Sequence, residues 1–251
     1  MNYKVLTTLD GSPSLRSKLT TPDGVEGESM HHLGGAYSET QYIYGEALRR
    51  TEDIIMTQNF SVMVVGLGLG YIELLSMGEF LKFKTNGIRS CTEFSDIEFK
   101  MVSYEIDPFL KDGFIKWIFN KLEPIHPLFE VYEEIALYLT KDGYSISEIK
   151  CHLVSAYEAK RWIIFNELNL SNLPEFKVNK LLYDAFSGFS TPLLWEEGFL
   201  NQLLNKISAN HCTFSTYACK GSLKRALILN SFEFQKKKGF LGKRDSTFAI
   251  K

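Results

Sequence analysis

Five residues, Gly66-Leu67-Gly68-Leu69-Gly70, follow the apolar run Val62–Val65 and precede a stretch of helical periodicity. Glycines there let the backbone turn sharply and approach a ligand, with free N–H groups and a helix dipole facing it. The pattern suits an adenosine cofactor carrying an amino-acid carboxylate, and it also suits a dinucleotide. The fingerprint G-x-G-x-x-G would need a glycine where Tyr71 stands, which weighs modestly against the dinucleotide. A second group is Glu105, closing Val102-Ser103-Tyr104-Glu105, where a carboxylate can accept hydrogen bonds from two ribose hydroxyls. The third is Asp184-Ala185-Phe186, delivered by Leu181-Leu182-Tyr183 and followed by Pro192 and Trp195. Methylating an amine requires a neutral nitrogen. A carboxylate can orient that nitrogen and take its proton, and an aromatic face adds roughly 0.5–2 kcal/mol beside a cation. The plainer alternative is a capping Asp184 and a core Phe186.

These groups need a frame of strands alternating with helices. Strands are expected at Val62–Val65, Lys100–Glu105, Ile149–Val154, Val178–Tyr183, Cys212–Thr216, Phe232–Gln235 and Ser246–Ile250. Helices are expected at Glu39–Glu52, Gly70–Phe83, Phe109–Asn120, Ile125–Leu139, Tyr157–Leu168, Leu223–Asn230, and from Pro192 to Ile207. Such alternation implies an α/β fold with a mostly parallel sheet, and the closing strand pair implies a late antiparallel edge strand. Residues 1–60 read as an N-terminal extension packed on a Rossmann-like domain of 61–251. Because Glu105 lies 35 residues past Gly70, the first crossover carries an irregular insertion over Phe80–Lys100.

Composition excludes several classes. Hydrophobic residues are 45% and charged residues 23% of the 251, an ordinary globular mix. No leader or apolar span is visible, and four scattered cysteines suit a reducing cytoplasm, so a cytoplasmic protein without membrane contact is expected. The histidines show no metal-ligand spacing, and no G-x-S-x-G or G-x-x-x-x-G-K-[ST] occurs. Net charge is −2, yet Lys220–Arg244 holds eight basic residues and one acid, Glu233. That segment is either a phosphate-facing surface or a solvated, Lys-guarded edge.

The order of short motifs resembles the tRNA 5-(aminomethyl)uridine methyltransferase family, that is, the methyltransferase domain of bifunctional MnmC and its stand-alone relatives. The similarity runs through Thr8–Ser12, Gly27–His31, Gly34–Ala36 with Ser38–Thr40, the Gly66–Gly70 loop and Ser103–Glu105. It continues through Asp184–Phe186 with Pro192 and Trp195, Ser215–Ala218, Lys224-Arg225-x-Leu227 and Lys238–Arg244. The family pattern has an acid where Val64 stands, polar residues at Leu69 and Ile72, and an Asp where Ser155 stands.

The resemblance implies a class I fold and methyl transfer from S-adenosyl-L-methionine to the exocyclic amine of 5-aminomethyluridine at the tRNA wobble position. No FAD and no metal are expected, and a separate oxidase would act upstream. Asp184 and Phe186 would be catalytic. Gly66, Gly68, Gly70, Glu105, Glu39 and Ser155 would hold the cofactor. Asp10, Ser12, His31, Lys220, Lys224, Arg225, Lys238, Lys243 and Arg244 would meet substrate or tRNA. Two other readings stay open: a methyltransferase for a different amine, and a non-catalytic tRNA- or nucleotide-binding relative.

Overall fold

A computed structural model describes residues 2–18, 27–89, 96–186, 190–242 and 245–251. Seven strands form its main sheet: β3 (Asn59–Val65), β4 (Glu98–Tyr104), β5 (Trp162–Phe165), β6 (Val178–Tyr183), β7 (Ser208–Thr216), β8 (Glu233–Lys237) and β9 (Ser246–Ile250). Their order across the sheet is β5-β4-β3-β6-β7-β9-β8. From β5 to β7 every pairing is parallel, and β9 runs antiparallel to both neighbours. The expected mostly parallel sheet with a late antiparallel strand is therefore present.

Alternation along β3 explains how two layers cover this sheet. Val62 and Val64 enter one apolar cluster while Met63 and Val65 enter another, because successive side chains point to opposite faces. The first cluster packs under α1 (Ala36–Arg49), α3 (Tyr71–Arg89), α4 (Pro108–Ile118), α5 (Phe129–Lys141) and α6 (Ile146–Glu158). The second packs under α7 (Glu197–Ile207) and α8 (Gly221–Leu229). The N-terminal residues form a hairpin, β1 (Tyr3–Thr7) with β2 (Pro13–Ser17), then α1 and the short α2 (Thr51–Thr57). Leu15, Tyr37, Tyr44 and Leu48 share the first cluster with Val62, so the core runs unbroken from the hairpin into the sheet.

Two expected elements are exchanged. Ile149–Val154, expected as a strand, is the middle of α6. Ser145 caps that helix by accepting from the Glu148 amide at 3.4 Å. Ile149, Leu153 and Ala156 are buried at helical spacing. Conversely, Tyr157–Leu168 is not a continuous helix: α6 stops at Glu158, Lys160 takes a left-handed φ of 55°, and the apolar run Trp162–Phe165 becomes β5. The Phe80–Lys100 insertion is more regular than expected, since α3 continues to Arg89 and β4 begins at Glu98. Pro192 opens a single 3-10 turn to Trp195 rather than a helix, because Glu196 is extended (ψ 137°) before α7 starts.

Candidate active site

The strand order reverses at β3, which pairs with β4 on one side and β6 on the other. In open α/β sheets the carboxyl ends of such strands flank a crevice. Here it is a cavity of about 410 Å³, bounded by the loops after β3, β4, β5 and β6 and by one face of α1.

The glycines divide the work of shaping it. Gly66 has φ 89°, and a Cβ there would sit 2.6 Å from the Asp184 carbonyl oxygen. Gly70 has φ 76°, and its Cβ would strike the Phe114 ring at 2.2 Å. A Cβ on Gly68 would meet only Met30 Sδ, at 3.9 Å, so this glycine leaves open space in the cavity wall. Gly66 and Gly68 line the cavity; Gly70 does not, and its role is helix packing rather than the expected cofactor contact. Of the residues that depart from the family pattern, Val64 and Leu69 are buried in the core and Ile72 lines the cavity.

Glu105 closes β4 with one oxygen accepting from the Gly68 amide and the other from the Asp107 amide, each at 2.8 Å. Burial raises its proton affinity, and those backbone hydrogen bonds oppose the rise. Glu39 reaches the cavity from the first turn of α1 and accepts from the His32 amide at 2.6 Å.

Asp184 follows β6, its amide donating to the Val65 carbonyl at 2.8 Å. Its Oδ1 accepts from the Tyr44 hydroxyl at 2.6 Å. Burial pushes the Asp184 carboxyl up to about 7; the Tyr44 hydrogen bond works downward and the Glu39 charge upward. Next to it, the Tyr217 hydroxyl and the Trp195 indole donate to the carbonyls of Ala185 and Phe186, at 2.8 and 2.7 Å. Phe186 is 39% exposed at the cavity rim.

His31 lines the cavity as well, with its Nδ1 3.0 Å from the Ser14 hydroxyl and its ring edge-on to Tyr71. Glu28, Asn166, Glu167 and Tyr44 are lining residues that sequence reasoning missed. Five carboxylates line the cavity (Glu28, Glu39, Glu105, Glu167, Asp184), with no Lys or Arg among its described residues.

Three further expected site residues, besides Gly70, lie outside the cavity wall. Ser155 sits exposed on α6 with its hydroxyl accepting from Arg161, outside the cavity; Asn166–Leu168, after β5, occupy the place expected of it. Asp10 and Ser12 are not in the wall. Asp10 accepts from Thr8, Ser12 and the amide and hydroxyl of Ser38, while Ser12 Oγ accepts from the amides of Ala36 and Tyr37. Their polar atoms are spent satisfying the otherwise unpaired N-terminal amides of α1. Burial would raise the Asp10 carboxyl, but those hydrogen bonds outweigh it and hold it at about 2.

The basic residues are spread over two elements. Lys220, Lys224 and Arg225 lie at the start of α8, where Lys220 Nζ stands 5.0 Å from the Trp195 ring and Arg225 pairs with Glu197 at 2.6 Å. Lys236 and Lys237 pair with Asp245 and Glu46, and Lys238 is exposed just past β8. Lys243 and Arg244 lie outside the described residues.

Comparison with known proteins agrees with this architecture. Residues 133–251 match a family described as S-adenosyl-L-methionine-dependent methyltransferase. The bifunctional protein MnmC of Idiomarina loihiensis, named for tRNA 5-methylaminomethyl-2-thiouridine biosynthesis, is 26% identical over 82% of this chain and 33% of its own length. Its namesake from Hydrogenovibrio crunogenus is 24% identical over 84% of this chain and 29% of its own. The chain thus spans about a third of the length of the curated relatives it matches. The crystal structure of MNMC2 from Aquifex aeolicus superposes with a TM-score of 0.64 at 21% identity, covering 98% of this chain and 70% of that one. The resemblance to the MnmC methyltransferase-domain family, read from the order of motifs, is borne out.

Proposed function

We propose that this relative of the S-adenosyl-L-methionine-dependent methyltransferases methylates the exocyclic amine of 5-aminomethyluridine at the wobble position of tRNA. The observation that carries the reading is Asp184: a carboxyl with its proton affinity raised to about 7, at the carboxyl end of the sheet, beside a glycine cradle. No metal, and no flavin chemistry, is invoked in this transfer. A separate oxidase would supply the aminomethyl form of the tRNA.

The residues present fit the cofactor. Gly68 leaves room for a ligand against the backbone, and Glu105 offers carboxylate lone pairs to ribose hydroxyls. Asn166 and Glu167 stand where an adenine amine could find acceptors. The carboxylates lining the cavity favour a ligand that brings positive charge. When bound, S-adenosyl-L-methionine supplies a methyl group activated by its sulfonium.

The chain's own residues do the rest. A substrate ammonium has no lone pair, so it must lose a proton before attack. Asp184 can orient the amine and accept that proton near neutral pH, where its two forms are nearly balanced. Phe186 presents its ring at the rim, where a splayed base or a cation can lie against it. An acid-lined cavity repels phosphates, so the tRNA backbone would stay outside, against Lys220, Lys224, Arg225, Lys238, Lys243 and Arg244.

A second reading takes its support from the same five carboxylates: they would also welcome a small cationic amine. Titrating S-adenosyl-L-methionine calorimetrically, then assaying methyl transfer to aminomethyl-tRNA, unmodified tRNA and free polyamines, separates the readings. Transfer to aminomethyl-tRNA alone supports the first. Transfer to polyamines supports the second, and absence of cofactor binding, with or without tRNA, favours a non-catalytic relative.

A further inference from the structure

Tyr44 belongs to none of the motifs that point to the site, yet it is 3% exposed and its hydroxyl donates to Asp184 Oδ1 at 2.6 Å. A buried phenol has few reasons to meet a carboxylate across the core. Its other needs are met by packing, since Ile43, Tyr44, Ala47 and Leu48 all belong to the cluster beneath α1. The bond spans 140 residues of sequence, from the N-terminal helix to the loop after β6.

We infer that Tyr44 is a positioning residue for the proposed methyl transfer, holding Asp184 Oδ1 so that Oδ2 is the oxygen presented to the substrate amine and the carboxylate form is favoured. The inference rests on the reading of Asp184 given above. Among the described residues no donor is bonded to Oδ2. The loop itself is pinned by other groups: Tyr217 holds the Ala185 carbonyl, and Thr191 and Trp195 hold that of Phe186. Tyr44 therefore acts on the carboxylate and not on the backbone that carries it.

Four titratable groups face Asp184 in this arrangement: Tyr44 and Glu39 from α1, Tyr217 after β7, and Glu73 from the first turn of α3. Three of them neither donate to the Asp184 carboxylate nor bring positive charge. Tyr44 alone stabilises its ionised form, by a hydrogen bond that is stronger for a charged acceptor than for a neutral one.

The test is a carbon-13 NMR pH titration of the ligand-free protein, labelled at aspartate side-chain carboxyls, with Asp184→Asn used to assign the resonance. Tyr44→Phe keeps the ring and removes only the hydroxyl. The Asp184 midpoint should rise by about one pH unit or more, and the ascending limb of the kcat profile should move upward with it. Tyr217→Phe, which loosens the loop without touching the carboxylate, should leave the midpoint where the wild type has it. An unmoved or lowered midpoint in Tyr44→Phe overturns the inference, as does an equal rise in Tyr217→Phe. Because the titration needs neither cofactor nor tRNA, a wild type that titrates as described but transfers no methyl group overturns the proposed function instead.

Discussion

Within β6 and its exit loop, two ionisable residues four positions apart are accommodated by opposite strategies, one fully buried and one half-buried at the cavity wall. Lys180, inside the sheet, is fully buried and bonds Asp53 Oδ2 at 2.8 Å and the Arg50 carbonyl at 2.6 Å. Asp53 in turn accepts from Thr213 and from Arg50, so both charges of this buried pair have their complements. Asp184, at the other end, has a single phenol for a partner, a cavity beside it and no described cation among the lining residues. A charge closed off by complementary groups serves the fold. A carboxylate left short of them is held in a state that a ligand can change.

The contrast breaks most readily at the closed end. Asp53→Ala would leave Lys180 buried without its counter-ion, which should cost about 3–5 kcal/mol in urea unfolding. A loss below about 1 kcal/mol would mean that the pair is no more structural than a surface bridge. At the open end, Asp184→Asn should leave the unfolding midpoint unchanged or higher. Its turnover should fall about 100-fold, with S-adenosyl-L-methionine affinity nearly kept. Turnover within a few-fold of wild type would remove Asp184 from the chemistry.

The pH dependence of stability sharpens the same comparison. Glu73 is fully buried and neither carboxyl oxygen has a hydrogen-bond partner among the described residues. Burial pushes it up to about 8; the Ser103 hydroxyl and its own amide work downward without closing a full hydrogen bond, and the charges of Glu105 and Asp184 add to the rise. A raised folded-state value means that the proton is bound in the fold and lost on unfolding. This group's contribution is therefore complete below its ordinary value of 4.5 and is lost as pH climbs through about 8. Asp184 behaves alike between 3.8 and about 7. Wild-type stability should fall across that window, and Glu73→Gln should flatten the slope by up to about 1.4 kcal/mol per pH unit. An unchanged slope would place the Glu73 carboxyl in water.

The smallest effect is expected at Glu105→Gln, which keeps the side chain's shape while losing its charge. Cofactor affinity measured by calorimetry should drop about tenfold, with little change in unfolding. A variant that binds as well as wild type would leave Gly68 and the loop backbone as the principal holders of the ribose.

What could be read from the sequence was whatever one short segment carries whole. The strand Val62–Val65, the turn at Gly66 and the helix from Tyr71 are contiguous, so loop and fold were legible together, and Glu105 and Asp184 followed as strand-end acids. Tyr44 was not, because its partner lies 140 residues away and nothing local marks it. Asp10 and Ser12 enter through the Thr8–Ser12 motif, but residue type does not tell a ligand from the amides of α1. Ser155 was misplaced for a different reason: the Ser145-x-x-Glu148 capping pattern went unread, which moved the third strand by a dozen residues. Glu73, set among Tyr71, Ile72, Leu74 and Leu75, did carry a signal, since an acid inside an apolar helix start is rarely idle.

The position of β9 has a bearing on how the molecule assembles. It follows β8 in the chain yet lies between β8 and β7, so both of those strands wait with a bare edge until the later segment slots in. During that interval β7, which carries the apolar Cys212 and Phe214, could template another chain. Lys236, Lys237 and Lys238 line the waiting β8 and its exit. Their mutual repulsion would discourage a neighbouring molecule from docking there, so Lys238, proposed to meet an RNA backbone in the finished protein, would serve with Lys236 and Lys237 as an aggregation gatekeeper in the unfinished one.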